Sequence, residues 1–445
     1  MNIRDLASKL DAINDLYELG LYVKEITVAN EDVGRRIWEL LDKRKLASKL
    51  SRIQHFRPNE AHMCIDFIKS AGLDMGRELC DHLYVQEVAN AVKATRSVSS
   101  IGGYIAAIVA ANRRVGKKLW RLIDKESLAL KLSREPIDWD WAGKSCVSDI
   151  WSVDRSMAHD LCGLLDIRAL ADNWNQSSEC WRVGEWFSVV LKANAKAGQQ
   201  LWQLIDRAKL AAEISQNEHV LLIESGIHNI WLADAEVARE LCGMLDIERL
   251  LKTFNQEHYA ENIARCIYGL LRVNEKVGRM LWELAKKQLA TKLSRNFVPE
   301  KSPGCFKFLC SVEPDMGHEL CDLLNLDEIV ATLDKLDDVF FIGVYFSAIF
   351  WANEQVGRKL WQVYGKKLAT KLNVCEDIKG ATLCVENIYS CDHGMARDLC
   401  SLLDPTKLVQ CLESWGDDKR RENYLDVIEK ANKQVYQEVL KLLAE

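Results

Sequence analysis

Three sets of residues in this chain have the types and spacing that chemistry uses. Cysteines recur at Cys80, Cys162, Cys242, Cys321 and Cys400, inside the phrases DMGRELCDHL, SMAHDLCGLLD, EVARELCGMLD, DMGHELCDLLN and GMARDLCSLLD. Thiols in such a series could ligate a metal or exchange disulfides. Tryptophans Trp38, Trp120, Trp202, Trp282 and Trp361 form an interleaved series in phrases such as ANEDVGRRIWELLD and ANRRVGKKLWRLID. Three residues before each Trp or Cys stands a mostly basic column: Arg35, Arg77, Lys117, His159, Gln199, Arg239, Arg279, His318, Arg358 and Arg397. In line, its cations would form a track for phosphates or for an acidic peptide. The third set is aromatic. Trp139 and Trp141 lie in EPIDWDW, and Trp174 and Trp181 in NWNQSSECW. Both stretches read as connectors, where Trp side chains anchor partners.

None of these sets completes a catalytic constellation. The chain contains no P-loop, no HExxH and no GxSxG, and its nine histidines are scattered. There is no CxxC pair among the 15 cysteines and no zinc-type Cys/His spacing. Successive cysteines of the series stand about 80 residues apart, too far to share a metal, and read as small apolar core residues. The chain is therefore expected to be no enzyme, with no catalytic residue, no cofactor and no metal. The basic column has a local reading as well, pairing with acids such as Glu31, Asp32 and Glu39 on its own helices.

The elements that position these residues follow from composition and periodicity. Apolar residues make up 48% and charged residues 28% of 445, with only 6 Pro and 23 Gly, which favours helix. The net charge of −6 disfavours a general nucleic-acid coat. No secretory signal is visible at the N-terminus, and the longest apolar stretch, Val339–Ala352, falls short of a bilayer span. The cysteines are read as reduced thiols in the cytoplasm.

The Trp and Cys series together define one repeat of about 40 residues in two alternating flavours. Each Cys follows its Trp by 39–42 residues, and each next Trp follows its Cys by 40. With the Trp or Cys as position zero, apolar residues at −5, −1 and +3 mark one helical face, as in Val33, Ile37 and Leu41. Asn or Asp at −8 (Asn30, Asn112, Asp154, Asn194, Asp234, Asn274, Asn353, Asp392) is an N-cap. A helix precedes this one. A third, shorter helix follows the Asp at +4 and carries Leu-Ala-x-Lys-Leu, as in Leu46–Leu50 and Leu289–Leu293. Position −4 is Gly or Ala in the first ten repeats and Tyr436 in the last, and the small residue is read as bare surface for the residue at zero. Position −16 is aromatic in most Trp repeats, as at Tyr22, Tyr104, Trp186 and Tyr345. Position −2 alternates in sign (Arg36, Glu78, Lys118, Asp160), read as a charge ladder between neighbouring repeats.

The predicted fold is all-α: a right-handed α-solenoid superhelix of about eleven repeats, continuous over 1–445. Residues 1–12 form a half-unit cap, 13–410 ten alternating repeats, and 411–445 a degenerate capping repeat with Leu440 at position zero. The VGRxLWxL and ELCxLLD phrases on this period resemble HEAT- and armadillo-like repeat proteins, and more closely the degenerate helical arrays of bacterial and archaeal proteins, including the sensor ends of STAND-type NTPases. Here the NTPase loop is missing. The resemblance implies a binding scaffold, adaptor, sensor arm or inhibitory subunit. The expected partner is another protein or peptide, with nucleic acid as the alternative and no membrane. The candidate contact residues are Trp139, Trp141, Trp174, Trp181, Arg35, Arg77, Lys117, Arg239, Arg279, Arg358 and Arg397.

Overall fold

The computed structural model describes residues 2–444 apart from 53–57, 96, 135–141, 177–179, 296, 297, 299, 300 and 415–417. The described residues form 31 helices and no strand, and helices pack neighbour to neighbour along the chain. None of these helices is long and apolar enough to cross a membrane. The chain divides into two compact units: residues 1–214 with 228–241, and residues 215–227 with 242–445.

The Trp38 repeat shows how local chemistry sets the helices. Helix Leu16–Ala29 starts at Asp15, whose carboxylate accepts the Glu18 N–H at 3.0 Å. It stops at Asn30, held extended at φ −157°. The Asn30 N–H still donates to the Ile26 carbonyl, while its side chain accepts the Val33 N–H and opens helix Glu31–Leu40. One residue thus ends one helix and caps the next. Asn112, Asn194, Asn274, Asn353 and Asp392 repeat this geometry. Asp42 then caps the third helix, Lys43–Ser51.

The third helix departs from expectation in two repeats. Those of Trp282 and Trp361 lack the Asp at +4, and there the second and third helices run on as single helices, Glu275–Arg295 and Glu354–Leu372. The missing Asp is not enough by itself, because the Cys80 repeat has Tyr84 at +4 with no side-chain cap and still breaks there. The two fused repeats are also one residue shorter, with Leu289 and Leu368 following their Trp by seven residues where Leu46 follows Trp38 by eight.

The core is where the repeat columns placed it. Trp38, Trp120, Trp202 and Trp282 are at most 7% exposed, and the cysteines at position zero are buried completely or nearly so. Trp361 is half-buried, edge-on to Phe346. Tyr22, grouped with the −16 core aromatics, is 45% exposed. Tyr104 and Tyr345 donate to the carbonyls of Leu50 and Leu293, 54 and 52 residues upstream.

The small residue at −4 has a different cause from the one predicted. A β-carbon on Gly34, Gly116, Gly278 or Gly357 would stand 2.6–2.8 Å from the Cα of Thr27, Val109, Leu271 or Phe350. Those residues belong to the preceding helix of the same repeat. The bare surface therefore lets the first and second helices cross closely, rather than making room for the Trp or Cys. A second set of close approaches, unforeseen, joins neighbouring repeats. A β-carbon on Gly20 or Gly343 would lie 2.8 Å from the Cα of Cys64 or Cys384, and one on Gly102 would strike the Cys146 backbone. The small residue at −16 in the Cys repeats is the other half of that contact.

Candidate protein-interaction surface

The two flavours of repeat meet through two different kinds of junction. Where a Trp repeat precedes a Cys repeat, the indole Nε1–H reaches the glutamate at −2 of the next repeat: Trp38 to Glu78 at 2.8 Å, Trp202 to Glu240 at 3.1 Å and Trp282 to Glu319 at 3.1 Å. A cation from the start of the third helix, or from its equivalent in the fused helix, pairs with the same carboxylate: Lys43 with Glu78 at 3.1 Å, Arg207 with Glu240, and Lys286 with Glu319 at 3.1 Å. Lys43 and Arg207 also lie over the indole rings at 5.6 and 5.8 Å. The Lys286 ammonium and the Trp282 indole hold the Glu319 carboxyl below its usual range, against the opposing effect of burial. The −2 column is therefore no ladder of opposite charges: its acids bind an indole and a cation from the third helix, not Arg36 or its equivalents.

Aspartate at −2 does not reach. Opposite Asp160 the Trp120 Nε1–H is buried with no partner among the described residues, and Lys125 covers the ring at 5.5 Å. Asp160→Glu supplies the missing methylene. It is expected to stabilise the protein by about 1 kcal/mol, raising the melting temperature in a calorimetric scan; a neutral or lower value would separate the indole bond from the stability of this junction.

Where a Cys repeat precedes a Trp repeat, the staple is an amide. Asn112 Nδ2 donates to the Arg77 carbonyl at 3.2 Å and to Asp81 at 3.0 Å; Asn353 donates to the His318 carbonyl at 3.5 Å and to Asp322 at 3.0 Å. Asn194 reaches the His159 carbonyl at 3.3 Å. Only an amide can donate here while its oxygen caps the helix, which is why Trp repeats carry Asn at −8. At this same Cys-to-Trp junction, the Lys of Leu-Ala-x-Lys-Leu donates to the last carbonyls of the preceding third helix and the residues just after it. Lys131 reaches Lys93 and Thr95, Lys292 reaches Asn255 and Glu257, and Lys371 reaches Asp334 and Leu336. Burial holds the Lys131 and Lys292 ammonium groups below the usual lysine range.

Three of the seven Arg and Lys residues of the basic column are held in the Trp-to-Cys junctions. Arg35 binds Glu31 and Asp74, Arg279 binds Glu275 and Glu313, and Arg358 binds Glu354 and Asp392. Each thus holds one acid of its own helix and one at the start of the next repeat. Arg239 pairs with Glu236. Arg77, Lys117 and Arg397 make no ion pair among the described residues. Trp174 is 3% exposed, its ring 6.1 Å from that of Trp186, so it sits in the interior and not on a contact face. Trp139, Trp141 and the side chain of Trp181 lie outside the described residues.

The surface feature that sequence reasoning missed is position +2. It is exposed and apolar in nearly every repeat. In the first compact unit it is occupied by Leu40, Leu122, Leu164 and Leu204, and in the second by Met244, Leu284, Leu323, Val363 and Leu402, all 39–55% exposed. Only His82 interrupts the column among repeats 1 to 10. The signal was present as nine apolar residues in one column, but the face read from the repeat comprised only −5, −1 and +3 and passed over +2. The structure turns +3 inward and leaves +2 in water: Leu41 is 5% exposed and Leu40 46%.

No group of His, Cys, Asp and Glu among the described residues could hold a metal ion. The described cysteines are free thiols, and burial pushes Cys80, Cys162, Cys242 and Cys400 up to about 12. Comparison with protein-family models gives no match, and neither does comparison with curated protein sequences.

Proposed function

We propose that this protein is a non-catalytic binding scaffold: an α-solenoid of about eleven repeats, wound as a right-handed superhelix of the HEAT/armadillo kind, that presents the +2 row to a protein partner in a reducing, cytoplasmic setting. One observation carries this reading, the recurrence of an exposed apolar residue at one helical position in repeat after repeat. Single exposed apolar residues are ordinary on protein surfaces, but a periodic row at one structural position is not. Stacked helices lie about 8–10 Å apart, and a polyproline II segment, with three residues per turn, advances about 9 Å per turn. A segment laid across the repeats would meet one row residue with every third side chain. The nucleic-acid alternative draws less support, because Arg35, Arg279 and Arg358 already bind two carboxylates each.

The test is selection of displayed peptides on the intact chain, followed by binding to Leu284→Ser/Val363→Ser. Both residues are more than half exposed, at 55% and 54%, so melting should be unchanged. Selected peptides should carry apolar residues at every third position and lose about tenfold or more in affinity for the variant, as loss of two apolar anchors implies. Peptides indifferent to the variant, or none selected, would overturn the reading.

A further inference from the structure

Three neighbouring first helices, Pro58–Ala71, Val98–Ala111 and Ala142–Val153, lie side by side in the first compact unit. Between the outer two is a cleft of about 230 Å³. Its floor is Gly103, Ala106, Ala107 and Ala110, so no side chain longer than a methyl rises from the middle helix. Its walls are polar: His62, Asp66 and Lys69 on one side, Asp149 and Ser152 on the other.

The register of the repeats explains the opening. His62 stands at −18 of its Cys repeat and Gly103 at −17 of the following Trp repeat. The same two positions hold an ion pair elsewhere. Lys144 and Glu185 meet at 2.5 Å within the first compact unit, and Glu224 and Arg265 at 3.3 Å within the second. At His62 the facing residue is glycine, and the space that a partner's side chain would fill stays open.

The groups left behind lack partners. His62 Nδ1 is buried with no hydrogen bond. The Asp149 carboxylate makes no hydrogen bond or ion pair among the described residues; only its backbone carbonyl is used, by Ser152 Oγ at 2.7 Å. His62 Nδ1 and Asp149 Oδ2 lie 3.5 and 3.6 Å from the point where a β-carbon on Gly103 would sit, so both face the same small space. Asp66 is already paired with Lys69 at 2.7 Å. No Lys or Arg of the lining pairs with the Asp149 carboxylate, and burial pushes that carboxyl above its usual range. An unpartnered ring nitrogen and a free carboxylate facing one small space, in an otherwise satisfied cleft, suit a donor-rich cation.

We propose that this cleft is a binding site for a guanidinium group, which takes the place of the ion-pair partner that Gly103 lacks. A guanidinium presents several N–H donors in one plane, to the Asp149 carboxylate and to the His62 Nδ1 lone pair together. Its flat, weakly hydrated face suits the alanine floor better than a compact, strongly hydrated ammonium. The guanidinium comes either from a free small molecule or from an arginine side chain of a bound protein. The site is independent of the +2 row.

Calorimetric titration of the full chain tests the proposal with agmatine as the free guanidinium and Gly-Arg-Gly as the peptide-borne one. Saturable binding of either is expected, in the micromolar to low millimolar range of about 4–8 kcal/mol. Stronger binding of agmatine identifies a small-molecule ligand, and stronger binding of the peptide a partner's arginine. Asp149→Asn removes the charge and should weaken binding by about tenfold or more. Gly103→Ala raises the floor, and its β-carbon meets no atom closer than 3.4 Å, so it should block the site without lowering the melting temperature. Butylamine should bind more weakly than agmatine. The proposal is overturned by an absence of saturable heat with both guanidinium probes up to about 10 mM, by equal affinities in both variants and the parent, or by preferential binding of inorganic phosphate.

Discussion

Replacing Trp282 with alanine should destabilise the second compact unit by about 3–5 kcal/mol, the range for removing a large buried aromatic. Trp282 is 2% exposed and among the largest fully buried side chains. Its indole also donates to Glu319 at 3.1 Å, so two contributions have to be separated. Trp282→Phe separates them. It retains most of the buried ring and loses the donor, while Glu319, whose side chain is 49% exposed, stays hydrated and paired with Lys286. The Phe variant should therefore cost only about 1 kcal/mol. Denaturant melts followed by circular dichroism measure both variants. If Ala and Phe cost the same, the indole bond and not the packing would dominate this column, and the other series tryptophans would have to be re-read in that light.

The second large effect reverses a familiar rule. In a helix, Gly→Ala ordinarily stabilises by up to about 1 kcal/mol, because alanine loses less backbone entropy on folding. Gly102→Ala should instead destabilise by about 2–3 kcal/mol. Its β-carbon would strike the backbone of Cys146, and neither helix can retreat without opening the contact between two repeats. Gly243 provides the control. It ends helix Ala235–Gly243, and a β-carbon there meets nothing within 4 Å. Gly243→Ala should be neutral or stabilising by about 0.5 kcal/mol. Opposite signs in thermal melts of the two variants are the expected result. A stabilised Gly102→Ala would mean that the helices do not approach as closely as described.

The second prediction shows where legibility in the sequence ended. Gly102 and Cys146 are both plain in the columns, at −18 of a Trp repeat and −16 of a Cys repeat. Nothing in one helix says that these two small residues face each other 44 residues apart. The small −4 column was visible too, yet its partner was misassigned, because the residue that needs the space belongs to another helix. The −2 column failed in the same way. Alternating signs suggested pairing along the column, whereas Glu78 is bound by Trp38 and Lys43. Side-chain length, not charge, then separates Glu78 from Asp160.

What the sequence determined alone was what is governed by interactions within about one helical turn: the repeat period, the caps at Asn30 and its equivalents, and the inward face at −5, −1 and +3. Tertiary structure decided which residues 31–54 positions apart meet. It bound Arg35, Arg279 and Arg358 to carboxylates, sent Trp174 inward, left the +2 row in water and opened the cleft between His62 and Asp149. Helix capping and periodicity are local and can be read from neighbours in the chain. The direction of each exposed side chain depends on how adjacent repeats are rotated against one another, and that is set only when their close-packed surfaces interlock.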